Sequence, residues 1–509
     1  MNDRLYNKNL WDIFEDSVSE YKERIAIKDL NNVYTYEKYY NDICDISWKI
    51  EKENVIDEKS IIILYSENSY LYACYVMACI RLGITVVPLN SKMDFKDVDK
   101  IIKETKATCI YTDQTRILSN DFVRLLEKNN CSDTTYLSEK KGNAEVQFIL
   151  FSSGSTGEIK GIECSQTGIK AATYSINEVI GNNCEDNILC ILDFSFDYGL
   201  YQLFLAFEVG AAVTIISSND NILRIPEYIV KNDITGFPAT PFLLKILKEV
   251  GKADPKKLSR LKYITSTGDC LSPELIDYYR NIIPKTNIFP MYGLTECKRV
   301  SILKPEDYEK HKYSVGKPIS CCKVMIIKED GTEAKNGEKG ELVVVGSNVM
   351  KGYYLDENLT REKFVKSKDG IIGLHTGDIF TMDEDGFLYF VSRTQNYIKI
   401  REKRVSPLSI EREILNKCED IKECLVVPLR EIEKEDNVFC YLRMNEGCSV
   451  ERAIGRMAGR LTHLYLPRYY YEYKDMFPYN SNGKIDRKKM TIKAKELFNS
   501  GACIENIRE

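Results

Sequence analysis

Phe151-Ser152-Ser153-Gly154-Ser155-Thr156-Gly157-Glu158-Ile159-Lys160-Gly161-Ile162 is the stretch on which the reading of this 509-residue chain turns. Glycines and short side chains let a backbone turn tightly and bring several N–H groups close to an anion. Ser152, Ser155 and Thr156 add hydroxyl donors, and Lys160 adds a point charge. The apolar run from Val146 to Phe151 ahead of them reads as a strand. Together these features describe a phosphate-holding loop; taken alone they also fit a flexible surface loop. The common P-loop is excluded, because it needs Ser or Thr directly after Gly-Lys, and Lys160 is followed by Gly161. A dinucleotide fingerprint is excluded as well, since the stretch contains no Gly-x-Gly-x-x-Gly.

A chain of this length exceeds one core, so two or three domains are expected. With 44% hydrophobic and 29% charged residues, its composition is that of an ordinary globular protein. The net charge of −5 gives no general attraction to nucleic acid or to an anionic membrane. The 17 cysteines, the adjacent Cys321-Cys322 included, lack metal-ligand spacing, and no apolar leader follows Met1. Both features point to reduced thiols in a cytoplasm. The longest apolar run, Tyr72 to Ile80, is too short to span a bilayer. Only 3 histidines and no Gly-x-Ser-x-Gly elbow argue against zinc hydrolysis and Ser-His-Asp chemistry.

The organisation is α/β. A buried helix is predicted from Tyr70 to Arg81, capped by Gly83, followed by a strand from Ile84 to Leu89. Short β-branched runs at Val213 to Ile216, Lys262 to Thr265 and Glu341 to Val345 alternate with helical stretches, which implies largely parallel sheets. Asp385-Gly386, between Phe380 and Phe387-Leu388-Tyr389, marks a hairpin. A calcium loop there would need a bidentate acid where Thr394 stands. Near residue 393 the chain turns basic, with Arg393, Lys399, Arg401, Lys403 and Arg404. It then reads helix (Ser409 to Lys417), strand (Cys424 to Leu429), strand (Val438 to Met444) and helix (Val450 to Leu461). The expected architecture is a large N-terminal domain, residues 1–394, of mainly parallel sheets flanked by helices. A small C-terminal α+β domain, residues 395–509, would join it at a hinge near Gln395-Asn396.

Five further segments follow the loop in order. They are Phe196-Asp197-Tyr198-Gly199, Met291-Tyr292-Gly293-Leu294-Thr295-Glu296 and Thr376-Gly377-Asp378, then Arg393 with Ile398-Lys399-Ile400 and Arg404-Val405-Ser406-Pro407, and last Asn482-Gly483-Lys484-Ile485-Asp486-Arg487. Singly, each has an ordinary explanation: a turn into a helix, a tight turn, a solvated type I′ turn. In this number, order and spacing the six segments resemble the adenylate-forming superfamily of AMP-binding enzymes over nearly the whole chain. Its members are acyl-CoA synthetases, nonribosomal-peptide adenylation domains, D-alanine–carrier-protein ligases and firefly luciferase.

The resemblance implies the chemistry and the roles. Members join a carboxylate to the α-phosphate of ATP, expel pyrophosphate and pass the acyl group to a thiol. Ser152, Ser153, Gly154, Ser155, Thr156, Gly157 and Lys160 would serve the β- and γ-phosphates. Tyr292 and Gly293 would receive the adenine, Thr295 would donate to the α-phosphate, and Glu296 would hold Mg²⁺. Asp378 would accept both ribose hydroxyls, with Arg393 reaching the same ribose or the phosphates. Lys484 would bridge the substrate carboxylate and the ribose or α-phosphate oxygens. Between half-reactions the C-terminal domain would turn from presenting Lys484 to lining the thiol's path with residues near 399–405. Departures from the family pattern cluster on that second face. Gln395 stands for an acidic hinge residue, Glu402 for a glycine and Ser409 for a glutamate. Gln166 stands where an aromatic residue or histidine often closes the acyl pocket.

For the acid itself, Asp197 occupies the place where amino-acid-activating members pair an aspartate with the α-ammonium; it can equally cap a helix N-terminus. Met291, Tyr198, Tyr201 and Phe237 would supply apolar walls for a small or medium acid. Lys298 and Arg299 either face inward, where they suit a second carboxylate, or form a solvated helix face. With no carrier signal after Lys484, the expectation is a freestanding ATP- and Mg²⁺-dependent ligase of the amino-acid-adenylating or D-alanine-ligase-like kind. Its acceptor would be CoA or the phosphopantetheine of a separate carrier protein, with no nucleic acid or membrane partner. The alternatives are an acyl-CoA synthetase for a non-amino acid and a catalytically silent nucleotide-binding homologue.

Overall fold

The computed structural model describes residues 8–52, 59–112, 124–126, 144–153, 159–217, 222–366, 372–393, 398–400, 403–429, 437–462, 465–479 and 484–505. The chain divides into two units. One comprises Met1–Val324 and Val344–Leu374, the other Met325–Val343 and His375–Glu509.

The larger unit contains two extended sheets. In the first, Arg124–Leu126, Cys109–Thr112, Ile61–Tyr65, Thr85–Leu89 and Phe148–Ser153 run parallel, and Ile159–Cys164 returns antiparallel beside the last of them. In the second, Ile25–Lys28, Ala212–Ile215, Asn187–Cys190, Gly236–Ala239, Tyr263–Ser266 and Asn287–Tyr292 run parallel, with short antiparallel strands at both edges. The helix Tyr70–Leu82 is buried at every position from Tyr72 to Leu82, which explains its apolar run without an amphipathic stripe. Ser69 caps its start; Gly83, at φ 68°, stops it by donating its N–H to the carbonyls of Cys79 and Ile80. Because the strands are parallel, Ala239, Ser266 and Pro290 lie in register and the loops beyond them leave from one edge. The carboxyl edge of such a sheet is where α/β proteins hold ligands.

In the smaller unit the strand Ile372–Met382, from His375 onward, pairs antiparallel with Leu388–Arg393. Asp383 closes the turn: its Oδ1 accepts from the N–H groups of Asp385 (3.1 Å) and Phe387 (2.9 Å). A four-stranded sheet follows, ordered Ile421–Leu429, Asn437–Met444, Tyr469–Glu472 and Ile504–Glu505. Its side chains alternate between faces. Val426, Cys440 and Leu442 pack with Ile410, Ile414, Ala453 and Met457 of the helices Pro407–Lys417 and Val450–Arg460. Leu425, Val427, Phe439 and Tyr441 pack with Met490 and Ala494 of Arg487–Asn499. Among the described residues no helix is long and apolar enough to cross a membrane.

Candidate active site

Ser152 and Lys160 face each other across the antiparallel pair Phe148–Ser153 and Ile159–Cys164. Gly154, Ser155, Thr156 and Gly157 lie outside the described residues, as does the side chain of Ser153. The Lys160 ammonium stands 5.9 Å from the centre of the Tyr353 ring. The Tyr353 hydroxyl donates to Oε1 of Glu296 at 3.0 Å. One aromatic side chain therefore links the Lys160 ammonium to the Glu296 carboxylate of Tyr-Gly-Leu-Thr-Glu. Burial, and then the Glu296 charge, push the Tyr353 phenol well above its ordinary value, so it remains a donor at neutral pH.

Beyond the strand Asn287–Tyr292 the backbone doubles back on itself. The N–H of Cys297 donates to the Leu294 carbonyl (3.1 Å), that of Val300 to Tyr292 (2.9 Å) and that of Met350 to Glu296 (2.7 Å). Gly293 lies so close to the returning chain that a Cβ would stand 1.8 Å from the Lys298 carbonyl oxygen. Lys298 adopts a left-handed φ of 53°. The Asn348 amide clamps the bend by donating to the carbonyls on either side, Cys297 at 2.9 Å and Arg299 at 2.7 Å. This reversal turns two consecutive cations into the protein: Lys298 is 3% exposed and Arg299 5%. A solvated helix face is thereby excluded for them. Lys298 Nζ donates to the Thr295 carbonyl (3.0 Å) and lies 2.9 Å from Cys164 Sγ. Burial raises the Cys164 thiol, although the Lys298 charge opposes the rise.

The helix Asp197–Val209 has Phe196 at its N-cap with no side-chain cap bond, so Asp197 is its first helical residue and not its cap. Tyr198 and Tyr201 follow on one face. The Tyr198 hydroxyl donates to the Thr265 carbonyl at 2.8 Å. The Arg299 guanidinium stands 5.2 Å from the centre of the Tyr198 ring. Met291, Tyr198, Tyr201 and Phe237 are all buried. The Tyr201 hydroxyl, Arg299 Nε and Ser266 Oγ are buried with no hydrogen-bond partner among the described residues. Gln166 engages both ends of its amide in the interior, donating to Gln147 (2.8 Å) and accepting from the Leu10 N–H (3.2 Å).

In the smaller unit Asp378 and Arg393 are cross-strand partners, with Arg393 Nε 3.2 Å from Asp378 Oδ1 and Asp378 only 2% exposed. The Asp378 N–H donates to Thr376 Oγ1 (3.1 Å), and that hydroxyl donates to the Leu342 carbonyl (2.8 Å). Glu341, which no motif in the sequence singled out, accepts from the Gly377 N–H at 2.8 Å and from the His375 ring at 2.9 Å. Lys484 is half-buried. It precedes Asp486, which caps the helix Arg487–Asn499 by accepting from the Lys489 N–H at 3.0 Å. Asn482, Gly483, Gln395 and Asn396 (where the sequence places a hinge), Arg401 and Glu402 lie outside the described residues, as do the side chains of Lys399 and Arg404.

An α/β body whose parallel strands deliver a folded Tyr-Gly-Leu-Thr-Glu loop, followed along the chain by a Thr-Gly-Asp hairpin, defines the adenylate-forming class. The chain belongs to the AMP-binding enzyme family, whose profile matches residues 14–354. It is similar to gramicidin S synthase 1 of Brevibacillus brevis, with 24% identity over 95% of this chain and 44% of that protein. It is similar also to the D-alanine–D-alanyl carrier protein ligase of Bacillus cereus, with 26% identity over 85% of this chain and 89% of the ligase. The chain thus spans less than half of the gramicidin synthase, whereas it matches most of the ligase. Klebsiella oxytoca NpsA, solved in complex with 3-hydroxyanthranilyl-AMSN, has the same fold: TM-score 0.84 at 22% identity, covering 96% of this chain and 99% of that one.

Proposed function

We propose that the chain activates a carboxylic acid with ATP and transfers the resulting acyl group to a thiol. The observation that supports this most directly is the Lys160–Tyr353–Glu296 array, a phosphate-binding cation and a carboxylate positioned by one ring. In the first step a carboxylate oxygen bonds to the α-phosphorus and the bond to pyrophosphate breaks. Both reactants are anions, so fixed cations and donors lower the barrier. Lys160 and its loop receive the β- and γ-phosphates, Thr295 the α-phosphate, and Tyr292 and Gly293 the adenine. Asp378, steadied by Arg393, receives the ribose, and Lys484 the reacting carboxylate. Glu296 is suited to Mg²⁺, because its carboxylate accepts only from Tyr353 among the described residues and is a hard oxygen ligand. The ion, when bound, neutralises phosphate charge. In the second step the thiol sulfur attacks the acyl carbon and AMP leaves. The acceptor is CoA or the phosphopantetheine of a carrier protein, in a cytoplasm; the similarity to a carrier-protein ligase supports the second.

Asp197 favours an acid that also bears an ammonium, since its carboxylate has no hydrogen-bond partner among the described residues and does not cap its helix. ATP–pyrophosphate exchange tests the proposal, with a panel of amino acids set against aliphatic and aryl acids. Mg²⁺-dependent exchange with at least one acid is expected; silence with every acid overturns the reading in favour of a nucleotide-binding homologue without turnover.

A further inference from the structure

Arg299 is 5% exposed, yet among the described residues its Nε has no hydrogen-bond partner and its guanidinium forms no ion pair. A structural arginine in the interior ordinarily forks onto a carboxylate or gathers carbonyls. This one lies over the Tyr198 ring, 5.2 Å from its centre. Its neighbour Lys298 is equally buried, and among the described residues its ammonium is hydrogen-bonded to the Thr295 carbonyl and the Cys164 thiol, neither of which carries a counter-charge. Among the described residues neither cation forms an ion pair, although the Asp197 charge is near enough to act on both the Cys164 thiol and the Tyr201 phenol; an incoming negative group would offset the remaining cost of burying them. The bend that creates it is built in three ways: the left-handed φ of Lys298, the absent Cβ at Gly293 and the Asn348 clamp. The Tyr201 hydroxyl, one helical turn beyond Tyr198, is a second buried group with no hydrogen-bond partner among the described residues; burial raises its phenol, the Asp197 charge adds to the rise and the Arg299 charge opposes it.

We infer that the acid activated by this chain carries a second anionic group, remote from the reacting carboxyl, and that Arg299 receives it with the Tyr201 hydroxyl as a further donor. This rests on the acid-activation reading above. A plain monocarboxylic acid would leave the guanidinium desolvated and unpaired, so the site discriminates against it. Carboxylate, sulfonate and phosphonate share the chemistry that a guanidinium fork recognises.

The test is pyrophosphate exchange by the full chain with matched pairs: succinate against butyrate, glutamate against glutamine, and 3-sulfopropionate against butyrate. The dianionic member of at least one pair is expected to have a kcat/KM at least about tenfold higher. Arg299→Leu is expected to bring that ratio to about one or below, and Arg299→Lys to restore part of it. ATP-induced thermal stabilisation of each variant shows that it is folded. Exchange that favours the monoanions, or a preference for dianions that survives in Arg299→Leu, overturns the inference while leaving acid activation standing. Exchange with no acid at all overturns the underlying reading and the inference with it.

Discussion

Arg487 and Glu411, 76 residues apart in the chain, share a two-pronged ion pair with both contacts at 2.9 Å. Glu411 also accepts from the Val426 N–H (2.7 Å), and Arg487 also donates to the Val426 carbonyl (2.9 Å). Two helices and the strand Ile421–Leu429 are thus tied at one point, three residues past Lys484. Arg487→Met leaves a buried carboxylate without its cation. The expected loss is about 3 kcal/mol, the low end for breaking such a pair because Arg487 keeps some exposure. Urea unfolding measures it, and an unchanged midpoint would show that the tie is ornamental.

Lys484→Ala tests the first chemical step. Exchange should fall by about 10²–10³-fold, the usual scale for losing a charge-stabilising donor. ATP affinity, read by calorimetry, should change by less than about threefold, because the proposed contact forms with the reacting carboxyl. Equal losses in binding and exchange would reassign the lysine to nucleotide binding.

Gly293→Ala places a methyl 1.8 Å from the Lys298 carbonyl oxygen, a backbone atom that cannot swing aside. The loop must open to admit it, at about 1–3 kcal/mol for overpacking. Weaker ATP stabilisation in thermal shift, together with a loss of exchange beyond about tenfold, is expected. A variant with parental kinetics would mean that the loop is loosely held.

Tyr353→Phe removes the hydroxyl that holds Glu296. Hydrogen bonds to charged groups are worth about 1.5–3 kcal/mol, so the Mg²⁺ concentration needed for half-maximal exchange should rise about tenfold or more. The same residue has a pH signature. Its folded-state pKa lies above the unfolded value of about 10, so its stabilising contribution is complete below that pH and declines as pH rises through the folded value. Between pH 9 and 11 the parent should lose more stability than Tyr353→Phe. Parallel curves would remove the tyrosine from the alkaline transition.

Local signals carried much of the fold. Gly83 announced its helix end, Asp385-Gly386 its hairpin, and the apolar run Cys424 to Leu429 its strand. The motif segments likewise marked the family to which the chain belongs. What was not legible depends on contacts between distant residues. Tyr353 meets Glu296 across 57 positions and Glu341 meets Gly377 across 36. For Lys298 and Arg299 the sequence left an inward and a solvated outward placement open, because consecutive charges ordinarily sit on an outward face. Only a lysine with positive φ, held by a distant asparagine, turns both inward. No periodicity encodes that bend.

The polypeptide passes between its two units at residues 324–325, 343–344 and 374–375. Evolution by recombination is constrained accordingly. A single crossover cannot transplant one unit whole from a homologue, since residues 325–343 would stay behind with their former host. Productive exchange needs three breakpoints in register, and hybrids made with one cut inherit a small unit of mixed ancestry.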